Sequence, residues 1–96
     1  EHMKVKAKIE TGEMPITLHL KGRLAWTMLE LVKAGDKGIT PLHNPAPRVS
    51  HYVMTLRRKG VAIETDMQPH GGAFPGEHGV YRLKSAVTIE HVKGRA

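Results

Sequence analysis

Residues 47–65 read PRVSHYVMTLRRKGVAIET, and the way this stretch folds decides the architecture of the chain. At 3.6 residues per turn, Val49, Val53 and Leu56 fall on one side of a helix, with Tyr52 at the margin. The other side carries Pro47, Ser50, His51, Met54 and Arg58, flanked by Arg48, Thr55 and Arg57. The spacing predicts a helix over about 45–59, opened by Asn44-Pro45 or by Pro47 and stopped by Gly60. The β-branched run that follows predicts a strand. Three consecutive bases, Arg57, Arg58 and Lys59, close the helix. A cation there is favoured by the helix dipole by only ~0.3–1 kcal/mol, and one would suffice for that. Three together suit a helix that lies against a polyanion.

Charge along the rest of the chain points the same way. The 96 residues carry 15 Lys and Arg against 9 Asp and Glu, a formal net charge of +6. Between Lys37 and Ile63 there is no acid, yet Lys37, Arg48, Arg57, Arg58 and Lys59 all fall there. Such sorting is the electrostatic footprint of a nucleic-acid partner. The chain has no cysteine, which excludes disulfides, thiolate nucleophiles and cysteine-held zinc. No apolar run approaches the ~20 residues of a bilayer span, so no membrane partner is expected. The expected compartment is the cytoplasm, in association with the nucleoid.

Outward from the central helix, Lys4 to Ile9 alternates strictly. Val5, Ala7 and Ile9 lie on one face and Lys4, Lys6 and Lys8 on the other, a strand whose lysines would blunt a sheet edge. Ile16, Leu18 and Leu20 form a second strand, giving an N-terminal β-hairpin over residues 4–20; residues 1–3 resemble a cloning scar that includes the start Met. Lys21 to Ala34 reads as a helix stopped by Gly35, with Leu24, Met28, Leu31 and Val32 as its core stripe. Trp26 points away from that stripe, either beneath the hairpin or toward a partner. A very short strand is expected at Ile39, then at most one turn of helix before residue 45. Residues 61–84 read as two strands around a Gly- and Pro-rich tip of about ten residues. Val87 and Ile89 continue as a last strand, able to pair with Val5 to Ile9 within one chain or between two.

Little of this supports catalysis. No nucleophile–base pair, paired carboxylates or phosphate loop is visible, so no catalytic residue and no cofactor is expected. Histidine is abundant at seven residues, and His70 and His78 share one loop with Glu77 nearby. Their spacing matches no zinc site, and no metal site is expected.

The order helix, turn, helix, strand, long loop, strand is that of a winged helix-turn-helix. Arg48, Leu56-Arg57-Arg58, Gly60, Ile63-Glu64-Thr65 and Tyr81-Arg82-Leu83 together resemble the phage-type helix-turn-helix domain family. More loosely, they are similar to the DNA-binding domain of the biotin repressor. The resemblance covers about residues 22–84 and is most specific at 47–65. Two features depart from the pattern: "TPLHNPAP" (40–47) leaves almost no helix before the central one, and the N-terminal strands have no counterpart. The expected fold is therefore α+β, a winged helix-turn-helix over residues 21–93 with an extra N-terminal β-hairpin. The resemblance implies DNA binding with the central helix as recognition helix.

The residues themselves offer the chemistry. Ser50, His51 and Arg58 can donate to base edges or phosphates, Met54 can touch a thymine methyl, and Thr55 flanks them. Arg48, Arg57 and Lys59 suit phosphates. In the tip, His70, Gly71, Gly72 and His78 let backbone approach phosphate or the minor groove. Three readings follow: a double-stranded DNA-binding regulator or mobile-element control factor, a winged helix used for protein contact, and RNA binding through the same basic face. A homodimer through the N-terminal hairpin, Trp26 or the C-terminal strand would let two copies read one site.

Overall fold

A computed structural model describes residues 2–41 and 48–94 of the chain. In chain order the elements are β1 (Lys4–Glu10), β2 (Ile16–Lys21), α1 (Gly22–Ala34), a single 3-10 turn (Gly35–Lys37), α2 (Val49–Arg58), β3 (Ile63–His70), β4 (Gly76–Leu83) and β5 (Ala86–Lys93). The architecture is α+β, with the N-terminal hairpin present and a two-stranded ribbon following α2, as expected.

α1 leaves an extended Lys21 and ends at Gly35, whose positive φ of 55° suits glycine and whose amide donates to the Leu31 carbonyl. Met28 and Leu31 are fully buried, as are Ala25 and Thr27, while Leu24 and Val32 pack at the margin. The Thr27 hydroxyl donates to the Arg23 carbonyl at 2.8 Å, which satisfies it inside the core. Trp26 is half-buried, with the Arg23 guanidinium 5.6 Å from its ring centre.

The strands form two sheets, ordered β2-β1-β5 and β3-β4. β1 is thus a central strand, paired antiparallel with β2 (Val5 opposite Leu20) and with β5 (Val5 opposite Val92). That corrects the edge-guard reading of its lysines, because the chain's last strand returns to cover the edge. It also places the C-terminal strand against β1 of its own chain. Val5, Ala7, Ile9 and Leu20 on the inner face join α1, Ile39 and the buried side of α2 in one core.

Two backbone contacts position the ribbon. Ile39 forms the expected short pairing as a bridge: its amide donates to the Tyr81 carbonyl at 2.9 Å, and its carbonyl accepts from the Tyr81 amide at 2.8 Å. Gly38 makes room for it, since a Cβ there would lie 2.8 Å from both the Tyr81 carbonyl oxygen and Val80 Cγ1. At the other end, Lys84 and Ser85 break β4 from β5. The Ala62 amide donates to Ser85 Oγ at 2.8 Å, and the Lys84 amide donates to the Ala62 carbonyl at 2.8 Å.

The strands run further into the ribbon tip than the Gly and Pro content suggested. Pro69 pairs with Glu77 and His70 with Gly76, leaving only residues 71–75 as the connecting loop. α2 also starts later than the predicted 45–59. Arg48 has a left-handed φ of 65°, so helical geometry cannot run through it and the helix begins at Val49. The Asn44-Pro45 and Pro47 start signals lie outside the described residues.

Candidate nucleic-acid interface

α2 presents the face its sequence promised. Val49, Val53 and Leu56 are buried, whereas Ser50, His51, Met54 and Arg58 are exposed in one acid-free stripe. Burying those three apolar side chains stabilises the docked helix by roughly 1.5–3 kcal/mol each. Arg48 caps the helix through its carbonyl, which accepts from His51 and Tyr52 at 2.9 and 3.1 Å, and its side chain is exposed. Met54 and Arg58 lie one turn apart with Arg58 Nη2 3.5 Å from Met54 Sδ, so the guanidinium runs along the outer face. Thr55 donates its hydroxyl to the His51 carbonyl at 3.0 Å and is partly buried, leaving that donor committed to its own helix. Lys59 is exposed just past the last turn.

Arg57 is placed differently from its neighbour. Its Nε and Nη2 donate to the Ile63 carbonyl at 3.1 and 2.7 Å, and Nη2 also donates to Thr65 Oγ1 at 2.7 Å. The side chain ties the end of α2 to β3 rather than standing free for phosphate. Pairing in the ribbon shows what shares that side: directly opposed residues point to one face, so Thr65, Tyr81, Met67 and Gly79 lie on the α2 side.

The other ribbon face carries Glu64, Asp66, Gln68, His70, His78, Val80 and Arg82. Arg82 organises it, with Nη1 at 2.8 Å from Asp66 and 3.5 Å from Glu64, and Nε donating to the Asp36 carbonyl at 2.8 Å. The Arg82 hydrogen bond, joined by one from the Gln68 amide at 2.7 Å, holds the Asp66 carboxyl below its ordinary range. The same bond to Asp66 raises the Arg82 guanidinium. Lys37 lines a cleft of ≈ 710 Å³ on this side with Gln68, His78 and Arg82. It is therefore not gathered with the cations of α2.

His70 and His78 do come together, with Nδ1 to Nδ1 at 3.1 Å and ring centres 5.2 Å apart. One ring must donate and the other accept, so two protonated rings cannot make this contact. Glu77 pairs opposite Pro69, on the other face of the ribbon, and among the described residues no three potential metal ligands cluster. Gly71 and Gly72 sit exposed in the tip. The sequence reading passed over Phe74, which is 87% exposed at the same tip. The signal was available: it is the chain's single Phe, set among glycines and prolines where no core can form.

A capped helix with a buried apolar side, an acid-free outer side and a two-stranded ribbon hinged on its C-terminus is the geometry of a recognition helix and wing. The family profile described as a winged helix domain matches residues 17–93. The chain belongs to the winged helix domain family. That family suggests DNA binding in general, on a fold that is typically non-enzymatic. The winged helix match includes nearly all of β2 and the whole of β5 but leaves out β1, the strand to which both are hydrogen-bonded. No curated protein and no solved structure matches this winged helix.

Proposed function

We propose that this winged helix binds double-stranded DNA sequence-specifically, with the outer face of α2 in the major groove. The observation that carries the reading is the exposed, acid-free stripe Ser50, His51, Met54 and Arg58 on a helix whose opposite side is buried. Arg58 is the base reader and Met54 the thymine contact, while Arg48 and Lys59 bind phosphates at the two ends of the helix. The tip, with Gly71 and Gly72, reaches the adjacent backbone or minor groove, where exposed Phe74 supplies an apolar wedge. The protein acts as a small transcription regulator or mobile-element control factor of bacterial or phage type, at the nucleoid, without catalysis of its own. Two copies on inverted or direct half-sites, about 34–36 Å apart, would give such a small module adequate contact area.

The test is the salt dependence of duplex binding. Each phosphate neutralised contributes about −0.9 to the slope of log K against log salt. Replacing Arg58 and Lys59 together by Ala is expected to flatten the slope by about 2 units and weaken binding. An unchanged slope would reject α2 as the docking helix.

A further inference from the structure

The outer face of the β2-β1-β5 sheet takes no part in the α2 surface, and its composition follows from the register. Across the three strands, Lys4 opposes Lys21 and Lys93, Lys6 opposes His19 and His91, and Lys8 opposes Thr17 and Thr88. Directly opposed residues share a face, so these nine side chains form one surface. A bulge makes this possible. β1 steps from Lys6 to Ala7 while β5 steps from His91 to Ile89, leaving Glu90 over. That extra residue inverts the alternation of β5, bringing His91 and Lys93 onto the lysine side and Val92 onto the inner side.

Little on the face neutralises it. Glu90 lies 4.0 Å from Lys6 and Glu10 lies 3.6 Å from Lys8. Among the described residues Lys4, Lys21 and Lys93 have no ion pair, and all three are exposed. Together with Lys6, His19, His91 and a single acid, Glu90, they line an open trough of ≈ 810 Å³. Because β1 is a central strand, its own Lys4, Lys6 and Lys8 guard no edge, while Lys21 and Lys93 stand on the edge strands β2 and β5.

We propose that this sheet face is a second, sequence-independent site for the phosphate backbone of double-stranded DNA, so that one chain bridges two duplex segments. Charge complementarity selects the occupant. Lysines two residues apart on a strand are spaced by about 6.6 Å and adjacent strands by about 4.8 Å, a dense cationic array. A duplex presents about one negative charge per 1.7 Å of axis. The trough holds no Phe, Tyr or Trp on which unpaired bases could stack. Its lysines are point charges without the forked geometry that reads base edges. The inner face of the same sheet joins the core that buries one side of α2, so the trough faces away from that core, as does the outer side of α2. The two surfaces share no residue, and the second duplex is a separate segment. The proposal rests on the α2 reading for the first duplex only.

The experiment is two-duplex capture. A sparsely immobilised duplex is loaded with the protein, and a labelled duplex of unrelated sequence is added in solution. Wild type is expected to retain the labelled duplex. The Lys4→Gln/Lys21→Gln/Lys93→Gln variant is expected to lose at least about tenfold of this capture while binding the first duplex within about twofold. The corresponding triple Lys→Arg variant keeps the charge and is expected to capture normally, which separates charge from fold damage. Capture by the Gln variant equal to wild type, no capture by wild type, or a tenfold preference for duplex RNA in solution would each overturn the proposal. Failure of the α2 reading appears elsewhere, as undiminished first-duplex binding by Arg58→Ala/Lys59→Ala.

Discussion

Arg57 and Arg58 are adjacent in sequence and alike in chemistry, yet they face different tasks. Arg58 lies along the outer side of α2, whereas Arg57 turns back onto the Ile63 carbonyl and the Thr65 hydroxyl. Hydrogen bonds from a charged donor contribute about 1.5–3 kcal/mol, and Arg57 is partly exposed, so the lower end applies. Arg57→Ala is therefore expected to lower the melting temperature of the free protein by several degrees, at about 4–8 °C per kcal/mol for a domain of this size. Thermal unfolding without DNA checks it: an unchanged midpoint would place Arg57 back among the phosphate contacts. Sequence alone assigned both arginines to DNA. A helical wheel reports which side a residue leaves from, but not which carbonyl of the next strand the side chain can reach. The left-handed Arg48 was hidden for a similar reason, since its φ is imposed by how the chain enters the helix.

Among the elements, the ribbon depends on two small contacts at its base. Gly38 approaches Tyr81 too closely for any side chain and has a φ of 75°. Gly38→Ala is expected to cost roughly 1–3 kcal/mol through that contact and the unfavourable backbone region, read as a lower denaturation midpoint. A midpoint equal to wild type would mean the Ile39–Tyr81 bridge is dispensable. Asp66 supplies the second contact through Arg82. Its folded pKa is depressed, so its contribution is present above the unfolded value and is lost as pH falls through the folded one. Asp66→Asn is expected to melt below wild type near about pH 7, and the gap is expected to start shrinking below about pH 3.9 and to close only below the lower folded value. A gap that persists in acid would show that the Asn itself, not the lost charge, causes it. The strands of the ribbon were legible from their β-branched residues, but their length was not. Pro69 and the glycines read as loop, whereas the ribbon tolerates them at its tip, beyond the Ile39 bridge, where among the described residues each strand pairs on one edge alone.

For the whole molecule, the order of elements and the buried side of α2 were legible because periodicity and helix stops are local signals. The pairing of β1 was not, since alternation fixes which face is buried and says nothing about the neighbours on either side. That gap hid the main consequence of the topology. Residues 4–10 are the middle of a three-stranded sheet, so truncating the chain through Glu13 would remove the partner of both β2 and β5 rather than trim an appendage. It also hid the lysine trough, which exists only when β5 closes it. The resulting molecule has one core with two basic surfaces, of which we propose that the α2 face reads sequence. Selection of bound sites from a random duplex pool, run in parallel with wild type and Arg58→Ala, tests that claim most directly. Wild type is expected to enrich a defined motif, and Arg58→Ala to lose preference at one or two of its positions with a loss of about 1–3 kcal/mol on the wild-type site. No enriched motif for wild type, or the same motif at the same strength for Arg58→Ala, would contradict it.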